Sequence, residues 1–328
     1  MPHDQVTFPG SVVPTAPLGV GTWAWGDKGT WGMGGYDTDL SEATIAEAWA
    51  TSIEAGVTLF DTAEVYGGGE SERIIGQLLK SDPSRRGSLV IATKFMPSPQ
   101  KLNVTTAMRA ALRASLDRLG VEKVDLYQIH GPISLRSKAA LADALATMHA
   151  DGLVDAVGVS NYSIKEMESI HGHLARHGVP LASNQIEFSL LRRMPETGGL
   201  LAACARLGVV PLAYSPIGQG RLTGKYSAAN PPPGKRTFSA HPMELVDRIV
   251  AELRRIGEAH DGRTPSQVAL RWIIEKGAVP IPGAKNGPQA AENAGALGWA
   301  LAADDIAALD GVALAGTRTL AQRVWQHG

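Results

Sequence analysis

The sequence predicts an α/β protein, a closed (β/α)8 TIM barrel preceded by an N-terminal β-hairpin. Three observations carry that prediction. Eight short β-like runs alternate with helical patterns along the 328 residues. The runs are mostly continuous apolar stretches, as parallel strands covered on both faces must be. The GxGxxG pattern of a doubly wound dinucleotide sheet is missing, since Gly19 with Gly21 and Gly218 with Gly220 fall short of it. A doubly wound sheet with insertions is the alternative architecture. No linker-like composition divides the chain, so a single domain over residues 1–328 is expected.

The elements follow in order. Val6 to Val13, with Pro9-Gly10 at its centre, reads as a hairpin able to plug the barrel bottom. The strand-like runs are Leu18–Trp25, Val57–Asp61, Leu89–Phe95, Val124–His130, Ala156–Ser160, Ala182–Phe188, Val209–Tyr214 and Ala278–Ile281. Between them, Leu40–Ala55 is an amphipathic pattern stopped by Gly56. Glu70–Lys80 gathers Ile74, Ile75, Leu78 and Leu79 on one side. Thr105–Leu119 ends at Gly120, a C′ glycine, and Leu141–Ala150 stops at Gly152. Ser163–Arg176 opens on Ser163 three residues before Glu166, a capping box. Thr264–Lys276 opens on a cap followed by a first-turn proline. Asn230–Gly234, with three consecutive prolines, reads as a long loop after the seventh strand.

Composition narrows the function. Hydrophobic residues make up 44% of the chain, enough for a sizeable core, and the formal net charge is -1. A near-neutral chain lacks the basic face that nucleic acids or anionic membranes require, so neither partner is expected. The first ten residues contain no apolar leader core, and the expected compartment is the cytoplasm. The single cysteine, Cys204, sits among Leu201, Ala202, Ala203 and Ala205 and reads as a buried small hydrophobe. The nine histidines show no metal-ligand spacing, so no metal site is expected.

Barrel active sites are built at the C-terminal ends of strands. Here the second run ends in Asp61, the third carries Lys94 and the fourth ends in His130. Tyr66 follows five residues after Asp61. Singly, each has an ordinary explanation: a turn-capping aspartate, a solvated lysine, a turn histidine before Gly131-Pro132, a loop aromatic before Gly67. Their appearance at successive strand ends argues for a joint role. Carbonyl reduction needs a proton donor, and tyrosine with a pKa of ~10 holds its proton too tightly to be an ideal one near neutral pH. A lysine cation would lower that pKa, a carboxylate would hold the lysine charged, and a histidine could donate to the substrate oxygen.

At these residues the sequence resembles the aldo-keto reductase family. Phe60-Asp61-Thr62-Ala63-Glu64-Val65-Tyr66-Gly67, continued by Glu70-Ser71-Glu72 and Ile75-Gly76, is similar to its first signature. Thr93-Lys94, Asp125 to His130, Gly158 to Tyr162, Asn184-Gln185, Tyr214 to Gly218, Leu222 to Lys225, Ile281 to Asn286 and Glu292-Asn293 follow in the family's order, so the resemblance spans about Leu18 to Asp310. The Gly-Thr-Trp-Ala-Trp stretch at 21–25 and the Asp27–Tyr36 insert are most similar to a plant-plastid and bacterial branch, and potassium-channel β-subunits share much of the pattern.

The resemblance implies an NADP-dependent reductase of aldehydes or ketones, with Tyr66 as general acid, Asp61 and Lys94 tuning it, and His130 orienting the carbonyl. It implies cofactor contacts from Gly21, Thr22 and Trp23, a carboxamide held by Ser160, Asn161 and Gln185, and a nicotinamide ring stacked on Tyr214. Ser215, Pro216, Ile217, Gly218, Lys225, Gly283 and Lys285 would meet the phosphates, Lys285 the 2′-phosphate. Gln289, Glu292 and Asn293 would reach adenine and ribose. Trp23, Trp25, Trp31 and Phe95 are expected to wall an aromatic substrate pocket that favours flat aldehydes over sugars. Gly131 stands where many relatives carry tryptophan, so the wall is expected to be open there. A nicotinamide-binding regulatory subunit with slow turnover is the alternative, and the oligomeric state is not readable.

Overall fold

The computed structural model describes residues 5–11, 13–26, 40–233 and 238–328. Trp31, the Asp27–Tyr36 insert and Gly234 lie outside the described residues. In chain order the elements are β1 (Gly19–Gly21), α1 (Glu42–Glu54), β2 (Leu59–Asp61), α2 (Glu70–Ser81), β3 (Val90–Phe95), α3 (Val104–Leu119), β4 (Val124–Ile129), α4 (Lys138–Ala150) and β5 (Val154–Ser160). They continue with α5 (Ile164–Ala175), β6 (Leu181–Glu187), α6 (Met194–Thr197), α7 (Leu200–Leu207), β7 (Val210–Tyr214), α8 (Met243–Ala259), α9 (Pro265–Glu275), β8 (Val279–Pro280), α10 (Gly287–Ala294), α11 (Ala303–Val312) and α12 (Leu320–Trp325). Among the described residues, no helix is long and apolar enough to cross a membrane.

The eight strands are parallel and pair in sequence order, β1 to β8. The barrel closes through one contact: Gly21 pairs with Gly283, and the Gly21 amide donates to the Pro282 carbonyl at 2.9 Å. The seam is short because Pro280 and Pro282 have no N–H to give to a ladder.

Strand alternation then sorts the side chains. Leu59, Val90, Ala92, Leu126, Ala156, Ala182, Leu212, Val279 and Ile281 form the cluster inside the barrel, and Phe8 closes its floor with no exposed surface. Phe60, Ile91, Phe95, Tyr127 and Ile129 pack outward with the helix layer. The period of two therefore carries three inward rows past the apolar floor to a polar top: Leu59 to Asp61, Val90 and Ala92 to Lys94, Leu126 to Gln128. Among the described residues, the N-terminal hairpin shows one antiparallel pair, Val6 with Thr15, bonded at 2.7 and 2.9 Å, two residues beyond the expected end.

The helix signals behave as their chemistry requires. Ser163 and Glu166 exchange both bonds of a capping box, as do Thr264 and Gln267, and Gly120 ends α3 at φ 65. The sequence signals do not mark helices α6, α8, α11 and α12. The last of them has a consequence at the barrel mouth.

Candidate active site

Asp61, Lys94, Tyr66 and His130 converge at the C-terminal end of the barrel. Lys94 is completely buried and Asp61 is 2% exposed. Lys94 Nζ forms a close ion pair with Asp61 Oδ1, donates to the Thr62 carbonyl at 2.8 Å, and donates to Tyr66 Oη at 3.2 Å. An ammonium has three donors, and all three are used. Asp61 Oδ2 accepts from Gln128 Nε2 at 3.1 Å and Gln185 Nε2 at 2.9 Å. A charge pair this deep survives only when the remaining lone pairs and protons are also satisfied, and here they are.

The backbone beneath is fixed too. Thr22 Oγ1 donates to the Asp61 carbonyl at 3.0 Å and lies 2.8 Å from Ser71 Oγ, which also accepts from Thr62 Oγ1 at 2.8 Å. Thr22 is fully buried and acts through this network rather than on a ligand surface. Tyr66 opens a 3-10 turn, Tyr66–Gly69, in which Gly67, Gly68 and Gly69 all have positive φ (57, 66 and 93). Side chains rarely adopt those angles, and the run folds the loop back so that the Tyr66 ring leans over Lys94.

Electrostatics set the protonation states. Burial pulls Lys94 down, but the Asp61 carboxylate and Tyr66 more than offset it, and its pKa is raised. Burial raises Tyr66 and outweighs the lowering by Lys94, so its net shift is upward. The lysine acts in the direction expected from the sequence, but the expected net lowering is corrected: desolvation of the enclosed hydroxyl is the larger effect. Burial, then Lys94, pushes His130 well below 6.5, so its imidazole is neutral. Its ring stands edge-on to Tyr66, centroids 5.6 Å apart, and its buried Nδ1 has no hydrogen-bond partner among the described residues.

These groups open onto a cavity of about 1160 Å³ that runs along the barrel mouth. That exceeds the upper end of ordinary ligand pockets, about 1,000 Å³, and suits an extended ligand with a second molecule beside it. Its lining includes Asp61, Tyr66 and His130 from the end of β2 and the loops after β2 and β4, Ser160, Asn161, Gln185 and Tyr214 from β5 to β7, and Gly283, Lys285, Gln289, Glu292 and Asn293 from the segment after β8. Gly21, Trp23, Ser215, Pro216, Ile217 and Lys225 also line it. Asn161 and Ser215 hold the strained φ values 62 and 50 directly after β5 and β7. Tyr214 Oη donates to Asn161 Oδ1 at 2.9 Å, and Asn161 Nδ2 donates to Ser160 Oγ at 3.1 Å. At the far end, Gln289 Oε1 accepts from the Lys285 amide at 3.1 Å, Asn293 Nδ2 donates to the Gly283 carbonyl at 3.2 Å, and Glu292 accepts from Thr264.

A model of the Aldo/keto reductase family matches residues 17–314. The chain belongs to the aldo/keto reductase family. Among its relatives, a chloroplastic pyridoxal reductase of Arabidopsis thaliana is 37% identical over 322 residues, covering 95% of this chain and 87% of the relative. An uncharacterized oxidoreductase of Mycobacterium tuberculosis is 36% identical over 305 residues, covering 91% and 89%. Two solved structures share the fold: a glycerol dehydrogenase from Gluconobacter oxydans (TM-score 0.81, 28% identity, 98% of this chain and 99% of that one) and an aldo-keto reductase from Klebsiella pneumoniae in complex with NADPH (TM-score 0.75, 25% identity, 97% and 98%).

Several sequence expectations for this aldo/keto reductase need correction. Phe95 does not wall the pocket: it follows Lys94 in β3, so it points to the opposite face, and it is fully buried against the helix layer. Trp25 is fully buried as well, its ring 6.3 Å from Phe60 and its Nε1 donating to the Ala284 carbonyl at 2.8 Å. Trp23 does line the cavity, edge-on to Phe238. Gly218 is buried beneath the loop, while Gln219 and Gly220 face the cavity in its place.

The wall at Gly131 is not open. A Cβ there would stand 2.9 Å from ring atoms of Trp325, which lines the cavity from α12. Sequence reasoning missed Trp325, Gln322 and Phe238, which lack any local signal. It also missed Ser266, although the Thr264-Pro265 start of α9 marked a helix N-terminus.

Proposed function

We propose that this chain reduces aldehydes or ketones to alcohols with NADPH, and that Tyr66 delivers the proton. The observation that carries the proposal is the hydrogen-bond direction at Tyr66. Lys94 donates to Tyr66 Oη, so the phenol oxygen is already an acceptor and its own proton is left to point into the cavity. Burial raises the phenol above its ordinary value, which favours the protonated form that a general acid needs. It gives up the proton when an alkoxide, a far stronger base, develops beside it, and Lys94 then stabilises the phenolate left behind. Neutral His130, facing the same end, donates a hydrogen bond to the carbonyl oxygen and so orients it.

The residues present fit a nicotinamide dinucleotide, which when bound supplies the hydride. Asn161, Gln185, Tyr214 and Lys285 all line the cavity, and that lining supports a reading in which Asn161 and Gln185 hold an amide, Tyr214 a ring face and Lys285 a phosphate. The Klebsiella pneumoniae neighbour solved with NADPH supports that choice of cofactor. Trp23, Tyr66, Tyr214 and Trp325 give the cavity aromatic walls, which favour a flat aldehyde over a sugar. The Arabidopsis relative's name makes pyridoxal the first substrate to try.

The test is NADPH consumption across pyridoxal, benzaldehyde, aliphatic ketones and aldoses. Multiple turnovers with an aromatic aldehyde, at higher kcat/KM than with an aldose, are expected. One fast turnover of bound NADPH followed by very slow exchange would favour a regulatory subunit. No oxidation with any carbonyl would defeat the reading.

A further inference from the structure

Residue 131 is the place where the pocket wall depends on a distant segment. Gly131 follows His130 directly, and the volume a side chain would occupy there is filled by the Trp325 indole. The same indole stands edge-on to His130, centroids 5.5 Å apart at 67°, so it reaches the carbonyl end of the cavity.

Its position is fixed by the residues that follow it. Gln326, the next residue, is fully buried, and its Nε2 donates to Glu187 Oε2 at 2.6 Å and to Tyr214 Oη at 2.8 Å. The amides of His327 and Gly328 donate to the Asn161 carbonyl at 3.1 and 3.2 Å. Arg318 Nη1 donates to the Gln326 carbonyl at 2.6 Å. The backbone that carries the indole is pinned directly after it by these bonds, so Trp325 is a fixed wall rather than a passing contact. The segment also lies beyond residues 17–314, the part that the family model matches.

We propose that Trp325 is the specificity-determining wall of the substrate pocket, and that Gly131 and Trp325 form a reciprocal pair in which the glycine yields the space the indole fills. This rests on the carbonyl-reductase reading above. The indole limits bulk beside the carbonyl carbon, so the pocket accepts a flat aldehyde and rejects a branched ketone. Trp325 does not exchange a proton with substrate, and its removal changes which substrates enter rather than whether reduction occurs.

The test compares kcat/KM for benzaldehyde and isobutyrophenone in wild type, W325A, W325F, G131W and G131W/W325A. In W325A the ketone-to-aldehyde ratio rises at least about tenfold, mainly through KM for the ketone, the size of effect expected when a pocket contact is deleted. W325F keeps the ratio near that of wild type. G131W loses activity with both substrates because two indoles compete for one space, and the double variant regains benzaldehyde reduction with a ratio like wild type. A ratio in W325A within about twofold of wild type, where about tenfold is expected, would overturn the proposal while leaving the reductase reading intact. So would a G131W variant as active as wild type. Failure of wild type to oxidise NADPH with any aldehyde would overturn both readings.

Discussion

The two ends of the cavity are built differently. At the tetrad end, the charged pair stands on strand ends, is buried and is fully bonded: Lys94 donates to Asp61, Thr62 and Tyr66, and Asp61 in turn accepts from Gln128 and Gln185. At the other end, Lys285 and Asn286 sit on a loop and Gln289 in the first turn of α10, where the Asn286 and Gln289 side chains hold the local backbone. The first end fixes charges before a ligand arrives, which is what stabilises a developing alkoxide. The second is softer and suits recognition of a charged group that takes no part in bond making.

The sharpest way to break this contrast is to remove the cation at the rigid end. Lys94→Met leaves the Asp61 carboxylate buried without its partner and Tyr66 without its stabilising charge. Turnover should fall by about 10²–10⁴, the range for losing acid–base assistance. Stability should fall by about 3–5 kcal/mol, as when half of a buried pair is deleted. Lys94→Met/Asp61→Asn should recover much of the stability and none of the turnover, read by thermal melting and steady-state rates. Recovery of both would mean the pair serves only the fold.

A smaller effect is expected at the soft end. Lys285→Ala should weaken NADPH by about ten- to a hundredfold, the equivalent of one charge-assisted contact, while NADH binding stays almost unchanged. Fluorescence titration of both cofactors measures this, and equal weakening of the two would show that Lys285 does not distinguish them. Its kcat at saturating NADPH should not move, in contrast to that of Lys94→Met.

The smallest effect is one of pH. Because burial and Lys94 depress His130, it does not gain a proton as pH falls through its ordinary value of 6.5. Because burial raises Tyr66, it does not lose its proton as pH rises toward 10.0. The kcat for reduction should therefore be flat between about pH 6 and 9, the interval between those ordinary values. An inflection near 6.5 that vanishes in His130→Gln would show that the imidazole titrates in the enzyme. The same depression affects stability: as pH drops below 6.5 the unfolded chain takes up a proton that the folded chain refuses, so this contribution to stability is lost on acidification.

The barrel and its polar strand ends were legible because both are local. Apolar runs of strand length, and the residue at which each run stops being apolar, put Asp61, Lys94 and His130 at one end without any knowledge of packing. Strand parity is local as well: Phe95 follows Lys94, so the two cannot face the same side. Trp25 was misread because it lies past the true end of β1 at Gly21, where alternation no longer predicts direction. Trp325 was beyond reach, since nothing within its own segment indicates that it fills the space left by a glycine 194 positions earlier in the sequence. The direction of the Tyr66 shift was also beyond reach, because it depends on how deeply the hydroxyl is enclosed.

The central claim is that Tyr66 carries the proton while taking no part in holding the cofactor. Tyr66→Phe keeps the ring and removes only the donor. The measurement is the single-turnover oxidation of NADPH by an aromatic aldehyde at saturating concentrations, together with the NADPH dissociation constant of the same variant. The account predicts a rate lower by about 10²–10⁴ with the dissociation constant within about twofold of wild type. A rate within about twofold of wild type would contradict it, because the proton would then come from another group.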